Sequence, residues 1–319
     1  MVNLKHKTVF ITGGTGLIGS HLIEALLTQS PHIITVSRSL NPHSYFMAQG
    51  LHQQVVHIPL DIKDSQSLFE LIVKYSPDYV IHLAAQPLVD VASNHPLETL
   101  ATNIMGTVNV LEASRRTAGI KGIIIASSDK AYGKLQKKNY TETDPLKGDH
   151  PYEVSKSATD LIGQMYHHTY GLPVVVTRFG NIYGPGDLNF NRIIPKLCRA
   201  VILKNLVRLR SDGTFIRDYL YVKDVVDGYL RILEHIDSLV GEAFNFGSPE
   251  NLSVIEVIKT IEKILGKKIN YKILNTQKNE IPRQSLQYAK ARRLLKWQPK
   301  HSLANAFTTT LEWYKQYFS

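Results

Sequence analysis

A tyrosine and a lysine at the start of a predicted helix are the first candidate catalytic pair in the chain. Tyr152 and Lys156 lie four residues apart, so a helix places both side chains on one face. Ser128 stands at the end of the strand predicted before this helix, and its hydroxyl can donate to the same substrate oxygen as the phenol. A deprotonated phenol can take the proton of an alcohol while a hydride leaves the same carbon. Spacing alone also allows a chance pair and a serine that only caps its strand.

Glycines join the first predicted strand to the first predicted helix. Thr8–Thr12 is apolar and β-branched, which is typical of a buried parallel strand. Gly13, Gly16 and Gly19 follow at three-residue spacing, and helical apolar spacing begins at Leu17. Without side chains, the backbone N–H groups and the helix dipole can meet a phosphate. We interpret this unit as a dinucleotide site, with a tight turn in another kind of α/β protein as the alternative.

A dinucleotide beside Tyr152 would change the acidity of its phenol. The ordinary pKa of tyrosine is about 10, and lowering it by about three units costs roughly 4 kcal/mol. The Lys156 ammonium and a cationic nicotinamide both favour the phenolate, and two close charges in a sheltered site can supply that energy. The sequence therefore predicts a lowered pKa for Tyr152.

Strands and helices alternate through the first half of the chain. The predicted strands are Thr8–Thr12, His32–Val36, Val55–Ile58, Tyr79–Leu83, Ile123–Ala126 and Val174–Arg178, and long helices are predicted at about 97–118 and 152–170. This alternation predicts an α/β fold with a Rossmann-like, doubly wound parallel sheet and right-handed crossovers.

The pattern loosens after Gly180, where turn residues are frequent. Helices are predicted at 193–204, 222–234, 253–265, 288–296 and 303–318, and a short strand at 243–246. We expect a smaller, mostly helical substrate-binding lobe. Residues 1–178 and 219–247 would form the dinucleotide-binding domain, and residues 179–218 and 248–319 the lobe.

The ends of the second and third strands bear on the choice of cofactor. Ser37 is followed by Arg38 and Ser39, and no acidic residue stands there to accept the ribose hydroxyls of NAD. Arg38 can pair with the 2′-phosphate of NADP, so the cofactor is predicted as NAD(P) with a slight preference for NADP. Asp61 either accepts from the adenine amino group or caps the helix that begins near Ser65.

Composition and charge narrow the partners. The chain is 43% hydrophobic and 20% charged, which is ordinary for a globular protein, and Cys198 is its only cysteine. Neither a signal-peptide pattern nor a membrane-length apolar run is present, so we expect a cytoplasmic location and no membrane partner. The formal charge of +10 is scattered, which favours solvated surface over nucleic-acid binding. His167 and His168 are adjacent and lack the i, i+4 spacing of a metal pair, so no metal is expected.

The glycine turn, the strand-end serine and the Tyr-x-x-x-Lys pair together resemble the short-chain dehydrogenase/reductase superfamily. Nearly the whole chain resembles its extended branch, which acts on nucleotide sugars, through HLAAQ at 82–86, TNIMGT at 102–107, RFGNIYGPG at 178–186, IRDYLYVKDVVDGYL at 216–230 and AKARRLLKWQP at 289–299. The cofactor site implied in this way comprises Gly13, Thr15, Gly16, Leu17, Ile18, Gly19, Arg38, Ser39, Asp61, Ile62, Leu83, Ala84, Ala85, Asn103, Tyr152, Lys156 and Phe179.

Within that branch the chain resembles the sugar-nucleotide 4,6-dehydratases, particularly the CDP-glucose type. AAQPLV at 84–89, NIMGTVNVLEA at 103–113 and SSDKAYG at 127–133 carry this likeness, while RSDGTFIRDYLYV at 210–222 is as similar to 4-epimerases. Dehydratases have a Thr/Ser-Asp-Glu triplet where this chain has Ser128-Asp129-Lys130, and the CDP-glucose type has Asp-Lys. The resemblance implies Lys130 as the base at sugar carbon 5 and Asp129 as the acid at the leaving hydroxyl. A solvent-facing Asp-Lys turn is the alternative.

The same resemblance implies the substrate contacts and the assembly. Asn181 would lie near the diphosphate, Arg217 on a phosphate, Arg192 and Arg283 against the nucleotide, and Gln86 against the sugar. Arginine forks suit phosphate, although any of the three can be a surface residue. A homodimer through the two long helices is also implied. Two other functions remain open, a nucleotide-sugar 4-epimerase and a non-catalytic dinucleotide-binding regulator.

Overall fold

The computed structural model describes residues 4–276 and 281–319. Its strands are β1 (Thr8–Thr12), β2 (His32–Ser37), β3 (Val56–Pro59), β4 (Tyr79–His82), β5 (Gly122–Ala126), β6 (Asn139–Tyr140), β7 (Val174–Phe179), β8 (Asn181–Tyr183), β9 (Val207–Leu209), β10 (Ile216–Tyr221), β11 (Ala243–Phe246), β12 (Asn251–Ser253), β13 (Tyr271–Ile273) and β14 (Arg283–Leu286).

Its helices are α1 (Leu17–Leu27), α2 (Tyr45–Ala48), α3 (Ser65–Tyr75), α4 (Val89–Asn94), α5 (Pro96–Leu100), α6 (Gly106–Arg115), α7 (Pro151–Tyr170), α8 (Ile193–Leu203), α9 (Val222–Leu239), α10 (Val254–Leu265), α11 (Ala289–Leu295) and α12 (Leu303–Phe318). Among the helices of the described residues, none is long and apolar enough to cross a bilayer.

Seven parallel strands form the main sheet, in the order β3-β2-β1-β4-β5-β7-β11. Alternate residues of each strand face opposite sides, so Val9 and Ile11 pack under α1 and α9 while Phe10 packs with the residues of α3 and α6. Both faces are therefore covered by helices, which confirms the predicted doubly wound, Rossmann-like fold. The strand order reverses at β1, and a crevice at such a point is where ligands of this fold bind.

The second lobe contains strands that the sequence analysis did not predict. β12, β10, β14 and β6 form one sheet, with β8 added beside β10, and β9 pairs with β13. These strands are two to six residues long, too short for a clear alternating pattern. The expected boundary at residue 219 falls inside β10, while β11 returns to the main sheet as expected.

Two local expectations differ from the structure. The helix predicted at 97–118 is α5, then a π turn at Ala101–Met105, then α6, which ends at Arg115 before a turn at Gly119 with φ +88°. Asp61 does not cap α3, because Asp64 holds the N-cap position and accepts from the Ser67 N–H at 3.1 Å. Asp61 instead accepts from the Lys63 N–H at 3.0 Å.

Candidate active site

The turn between β1 and α1 has the shape of a phosphate cradle. Gly13 has φ +74°, and a Cβ there would lie 2.7 Å from the Ala84 nitrogen. A Cβ on Gly19 would lie 2.5 Å from the Gly13 oxygen, so these two glycines allow the backbone itself to pack. Gly16 is the N-cap of α1 without a side-chain cap, and a Cβ there would touch only the Gly13 oxygen, at 3.4 Å. The exposed helix N-terminus therefore remains open to an anion.

The cluster beyond β2 and β3 is polar and accessible. Arg38 Nη1 lies 3.5 Å from Glu98 Oε1, and Lys63 Nζ lies 2.8 Å from Glu98 Oε2. Arg38 is exposed, as is Ser39, while Ser37 Oγ bonds to His57 Nε2 at 2.8 Å. Arg38 thus already has a carboxylate partner within the chain, which a phosphate ligand would have to replace.

Asn103, on the π turn, holds the segment that follows β4. Its Oδ1 accepts from the Gln86 N–H at 2.7 Å, and its Nδ2 donates to the Gln86 carbonyl and to Ser155 Oγ at 3.1 and 2.9 Å. The Gln86 carboxamide is equally occupied, donating to Thr99 Oγ1 at 2.8 Å and accepting from the Leu88 N–H. Both side chains therefore order the protein around the site, and neither presents a free amide to a ligand.

Lys156 and Tyr152 stand on the first turns of α7. Lys156 is buried and donates from Nζ to the Ala126 carbonyl, the last of β5, at 2.8 Å. Burial lowers the pKa of Lys156 to about 8, although Asp160 opposes the shift. Burial likewise raises the pKa of Tyr152 to about 12, with Asp129 raising it and Arg192 and Ser128 lowering it. Without a dinucleotide, desolvation outweighs the groups that favour the phenolate, so the lowered pKa expected for Tyr152 beside Lys156 and a bound nicotinamide stays a prediction.

Ser128, Asp129 and Lys130 form a compact polar turn after β5. Ser128 Oγ donates to Asp129 Oδ1 at 2.9 Å and accepts from the Lys130 N–H at 3.2 Å. Lys130 Nζ lies 3.5 Å from Asp129 Oδ2, and both side chains are largely buried. Burial lowers the pKa of Lys130, Asp129 opposes this, and Arg217 adds to it. The alternative of a solvent-facing Asp-Lys turn is thereby excluded.

Gln284 of β14 is a site residue that the sequence analysis missed. Its Nε2 donates to the Asp129 carbonyl at 2.8 Å, and its Oε1 accepts from Lys130 Nζ. The side chain is buried, and Gln284 stands opposite Arg217 in the parallel pairing of β14 with β10. The only sequence signal was its place next to Arg283, since a buried glutamine in a short strand carries no motif of its own.

The second lobe contributes the other candidate substrate residues. Arg192 is the N-cap of α8 and pairs with Asp187 at 3.3 Å, while Arg217 donates to its neighbour, the Ile216 carbonyl, at 2.8 Å. Arg283 reaches Asn251 Oδ1 at 3.5 Å, and its Nε is buried without a hydrogen-bond partner among the described residues. Asn181 begins β8 beside Tyr219 of β10.

A cavity of about 470 Å³ lies against α8 and β9. It is lined by Phe190, Asn191, Lys196, Arg199, Ala200, Asn205, Leu206, Val207 and Arg208. Three of these side chains are cationic, and the Arg199 guanidinium stacks 4.9 Å from the centre of the Phe190 ring. The lining suits a negatively charged ligand with an aromatic part.

The predicted site residues therefore fall into two groups, one around the end of β5 and the other in the core or beside the glycine turn. Ser128, Asp129, Lys130, Tyr152 and Lys156 lie around the end of β5, with Arg192 and Arg217 in electrostatic reach. The Phe179 ring is instead stacked on Phe246 in the core, at 4.4 Å between ring centres. Ile62 is also buried, and Leu83, Ala84 and Ala85 follow β4 beside the glycine turn.

Known proteins resemble this chain along nearly its whole length. Residues 9–247 match the model of the NAD dependent epimerase/dehydratase family. A dTDP-glucose 4,6-dehydratase of Haemophilus influenzae is 30% identical over 96% of this chain and 97% of its own. Two solved structures are 27% identical over 97% of this chain. The dTDP-glucose 4,6-dehydratase of Streptomyces venezuelae with NAD bound has a TM-score of 0.88 and is 97% covered. The UDP-glucuronic acid 4-epimerase of Bacillus cereus, in complex with UDP-glucuronic acid and NAD, has a TM-score of 0.89, and 99% of its chain is covered.

Proposed function

Because the chain belongs to the NAD dependent epimerase/dehydratase family, we propose that it is a nucleotide-sugar 4,6-dehydratase. Its substrate would be an NDP-hexose of the CDP-glucose kind, and its product an NDP-4-keto-6-deoxyhexose. The observation that carries this proposal is the buried Asp129–Lys130 pair beside Tyr152. Inversion at carbon 4 needs one acid–base group besides the cofactor, whereas loss of water needs a further base and a further acid.

The residues around the glycine turn fit a nicotinamide dinucleotide. The uncapped N-terminus of α1 and the open side of Gly16 leave backbone donors for a diphosphate, and Gly13, Gly16 and Gly19 would hold it. The chemistry that the nicotinamide supplies when bound is the uptake of a hydride from sugar carbon 4 and its later return to carbon 6. For the adenosine end we propose Arg38 as the partner of a 2′-phosphate, which favours NADP once Glu98 has been displaced.

Tyr152 would act first, as the base for the hydroxyl on carbon 4. Its oxygen takes the hydroxyl proton as the C4–H bond breaks, and carbon 4 becomes a ketone. In the chain alone its pKa of about 12 is too high for this task at neutral pH. A positive charge next to the phenol must therefore lower its pKa. The cationic nicotinamide would supply one such charge, and the Lys156 ammonium, held by the Ala126 carbonyl, another.

Lys130 and Asp129 would then remove water. The ketone acidifies the hydrogen on carbon 5, and Lys130 in its neutral form takes that proton. The electron pair forms a bond between carbons 5 and 6 as the C6–O bond breaks, and protonated Asp129 donates to the departing hydroxyl. Burial lowers the pKa of Lys130, which favours the neutral base that this step requires.

Ser128 links the two acid–base groups. Its hydroxyl donates to Asp129 Oδ1 at 2.9 Å and also hydrogen-bonds to the Tyr152 phenol. When the hydride returns to carbon 6 and Lys130 returns its proton to carbon 5, Tyr152 holds one proton too many and Asp129 lacks one. Transfer of a proton from Tyr152 to Asp129 through the Ser128 hydroxyl restores both residues. The net change is then the loss of one water from the sugar.

Substrate binding would use the second lobe. Arg217 of β10 pairs with Gln284 of β14, and Arg283 is one residue earlier on β14, opposite Ile216. The Nε of Arg283 is buried without a hydrogen-bond partner among the described residues and offers a donor to a phosphate. Asn181 and Arg192 would approach the diphosphate and the nucleotide, and the cavity beside α8 offers room for the nucleotide's base. We propose that Gln86 shapes the sugar pocket by its position, since its carboxamide and both of its backbone polar groups are hydrogen-bonded within the protein. The proposed assembly is a homodimer in the cytoplasm.

A product assay tests the assignment. The enzyme is incubated with CDP-glucose, dTDP-glucose and UDP-glucose in turn, with NAD or NADP, and mass spectrometry scores the loss of one water. We expect a 4-keto-6-deoxy sugar from wild type, and a fall of at least about 100-fold for Tyr152→Phe. A C4-inverted sugar of unchanged mass would instead assign an epimerase. No turnover with any substrate, together with an intact biological role for Tyr152→Phe, would assign a regulator.

A further inference from the structure

Gln284 of β14 contacts the polar turn formed by Ser128, Asp129 and Lys130. Its carboxamide hydrogen-bonds to both members of the Asp129–Lys130 pair. It donates to the backbone carbonyl of Asp129 and accepts from the side-chain amine of Lys130. We propose that Gln284 is a positioning residue that fixes the direction of the Lys130 amine toward sugar carbon 5. This inference rests on the proposed dehydratase function, in which Lys130 is the base.

The orientation of the Gln284 amide is determined by its partners. The Asp129 carbonyl can only accept, and it lies 2.8 Å from Nε2. The Lys130 amine donates to Oε1. A flipped amide would set oxygen against oxygen and N–H against N–H, so one orientation alone satisfies both contacts. Gln284 therefore always presents an acceptor to Lys130.

This acceptor limits where the Lys130 amine can point. The nitrogen is tetrahedral, with one position taken by its own side chain. Gln284 Oε1 takes a second position, and Asp129 Oδ2, 3.5 Å away, takes a third. In the neutral amine the fourth position is the lone pair, which is therefore directed away from both partners. Removal of the Gln284 acceptor would let that lone pair swing away from a bound sugar.

The protein holds Gln284 itself firmly. It lies in β14, between β10 and β6, and 1% of its surface is exposed. Its backbone is aligned with Arg217 of β10 by the parallel pairing. A residue in the middle of a paired sheet positions a side chain more rigidly than a loop does.

The Gln284 amide is uncharged, whereas several charged groups surround Lys130. The charged groups that act on Lys130 are Asp129 and Glu153, which raise its pKa, and Arg217, which lowers it. A carboxylate in place of the Gln284 amide would keep the acceptor but add another group that favours the ammonium. The base would then become available only at higher pH.

Two variants separate position from charge. Gln284→Met removes the acceptor at similar size, and we expect kcat to fall at least about tenfold with little change in KM, since a misdirected base slows the chemistry. Exchange of solvent deuterium into carbon 5 should slow in parallel, and the isotope effect of a C4-deuterated substrate should shrink toward one.

Gln284→Glu should shift the rising limb of the pH–kcat profile to higher pH. Gln287→Met, exposed and three residues away, is the matched control.

A measurement that needs no turnover tests the role of Gln284 separately from the dehydratase proposal. Competitive acylation of lysines, followed by mass spectrometry, reports the pH at which Lys130 becomes a neutral nucleophile. We expect that pH to rise in Gln284→Glu, even if the wild-type product proves to be a C4 epimer and the dehydratase proposal fails. An unshifted labelling curve for Gln284→Glu, or a Gln284→Met variant with an undiminished C4 isotope effect, would overturn the role of Gln284.

Discussion

His82, at the end of β4, has hydrogen-bond partners that determine which of its ring nitrogens carries the proton. Thr107 Oγ1 donates its only proton to the Asn103 carbonyl at 2.6 Å, so it must accept from His82 Nε2 at 3.0 Å. Nδ1 then carries no proton and accepts from Thr12 Oγ1 at 2.7 Å, which itself accepts from the Ala84 N–H. A neutral imidazole therefore connects Thr12 of β1 to Thr107 of α6, while Thr12 also accepts from Ala84 beside the glycine turn.

This arrangement predicts an acid-sensitive fold. Burial lowers the pKa of His82 from its ordinary 6.5 to about 3. Between these values the unfolded chain binds the proton and the folded chain does not, so stability is full above pH 6.5 and is lost as pH falls. At about 1.4 kcal/mol per pKa unit, the loss is on the order of 4 kcal/mol by pH 3.

The His82→Gln variant isolates this contribution, because glutamine cannot titrate. It should be less stable than wild type at pH 7, and the difference in the free energy of unfolding should shrink as pH falls. Urea unfolding at a series of pH values measures both curves, with His32→Gln on the exposed start of β2 as control. A difference that stays constant from pH 7 to pH 4 would contradict the assignment.

The candidate catalytic side chains could be picked out from the sequence, but the residues that hold them in place could not. Ser128, Tyr152 and Lys156 are recognisable because spacing along one strand and one helix brings them together. Gln284 meets Lys130 across 154 residues, and that contact exists only once β14 lies beside β10. The pKa of Tyr152 was likewise beyond sequence reasoning, since its burial depends on the whole site.

At the scale of elements, the turn from β1 to α1 separates two roles of glycine. A Cβ on Gly19 would press into the backbone of Gly13 and Gly14 at 2.5 Å, and backbone atoms cannot move aside cheaply. A Cβ on Gly16 would meet one oxygen at 3.4 Å, an ordinary contact, and Gly16 has φ −78°. Gly19 thus allows close backbone packing, and Gly16 leaves room for a ligand.

The two substitutions to alanine should therefore differ. Gly16→Ala should keep the wild-type Tm within about 2 °C and weaken binding of the dinucleotide at least about tenfold, since the methyl group stands where the diphosphate would approach. Gly19→Ala should lower Tm by several degrees or fail to fold. Thermal unfolding and calorimetric titration with NAD and NADP measure both effects. Equal binding by Gly16→Ala and wild type would refute the cradle.

Elements with strong periodicity were the predictable ones. The buried run of β1 and the long amphipathic helices α7, α9 and α12 are at or near their predicted positions, because local pattern and tertiary packing agree there. The strands of the second lobe were missed because β10 and β14 carry arginines and glutamine inside short segments. Their partners across the sheet, rather than their own residues, make them strands.

At the scale of the whole molecule, a cross-lobe ion pair bridges the two parts of the chain. Asp90 on α4 pairs with Arg210, just after β9, at 2.6 Å. Both side chains are about half exposed, so such a pair contributes little to stability. It does connect the segment behind Gln86 with the strand that lines the cavity beside α8.

The surface of α5 to α7 carries apolar side chains that a monomer would leave in water. Leu97 is 82% exposed, Leu161 53% and Met165 41%. Leu161 and Met165 are four residues apart on α7 and so share one face. A two-fold symmetric contact would pair this face with the same face of a second copy, which supports the proposed homodimer.

A charge in the middle of that face should separate the copies. Leu161→Glu would bury an unpaired carboxylate in a symmetric interface, twice per dimer, so we expect a monomer at micromolar concentration where wild type is a dimer. Light scattering after size-exclusion chromatography measures the mass, and far-ultraviolet circular dichroism checks that α7 remains folded. Leu294→Glu, on the exposed side of α11, is the matched control and should leave the mass unchanged. A wild-type monomer, or a dimer that persists in Leu161→Glu, would place the interface elsewhere or remove it.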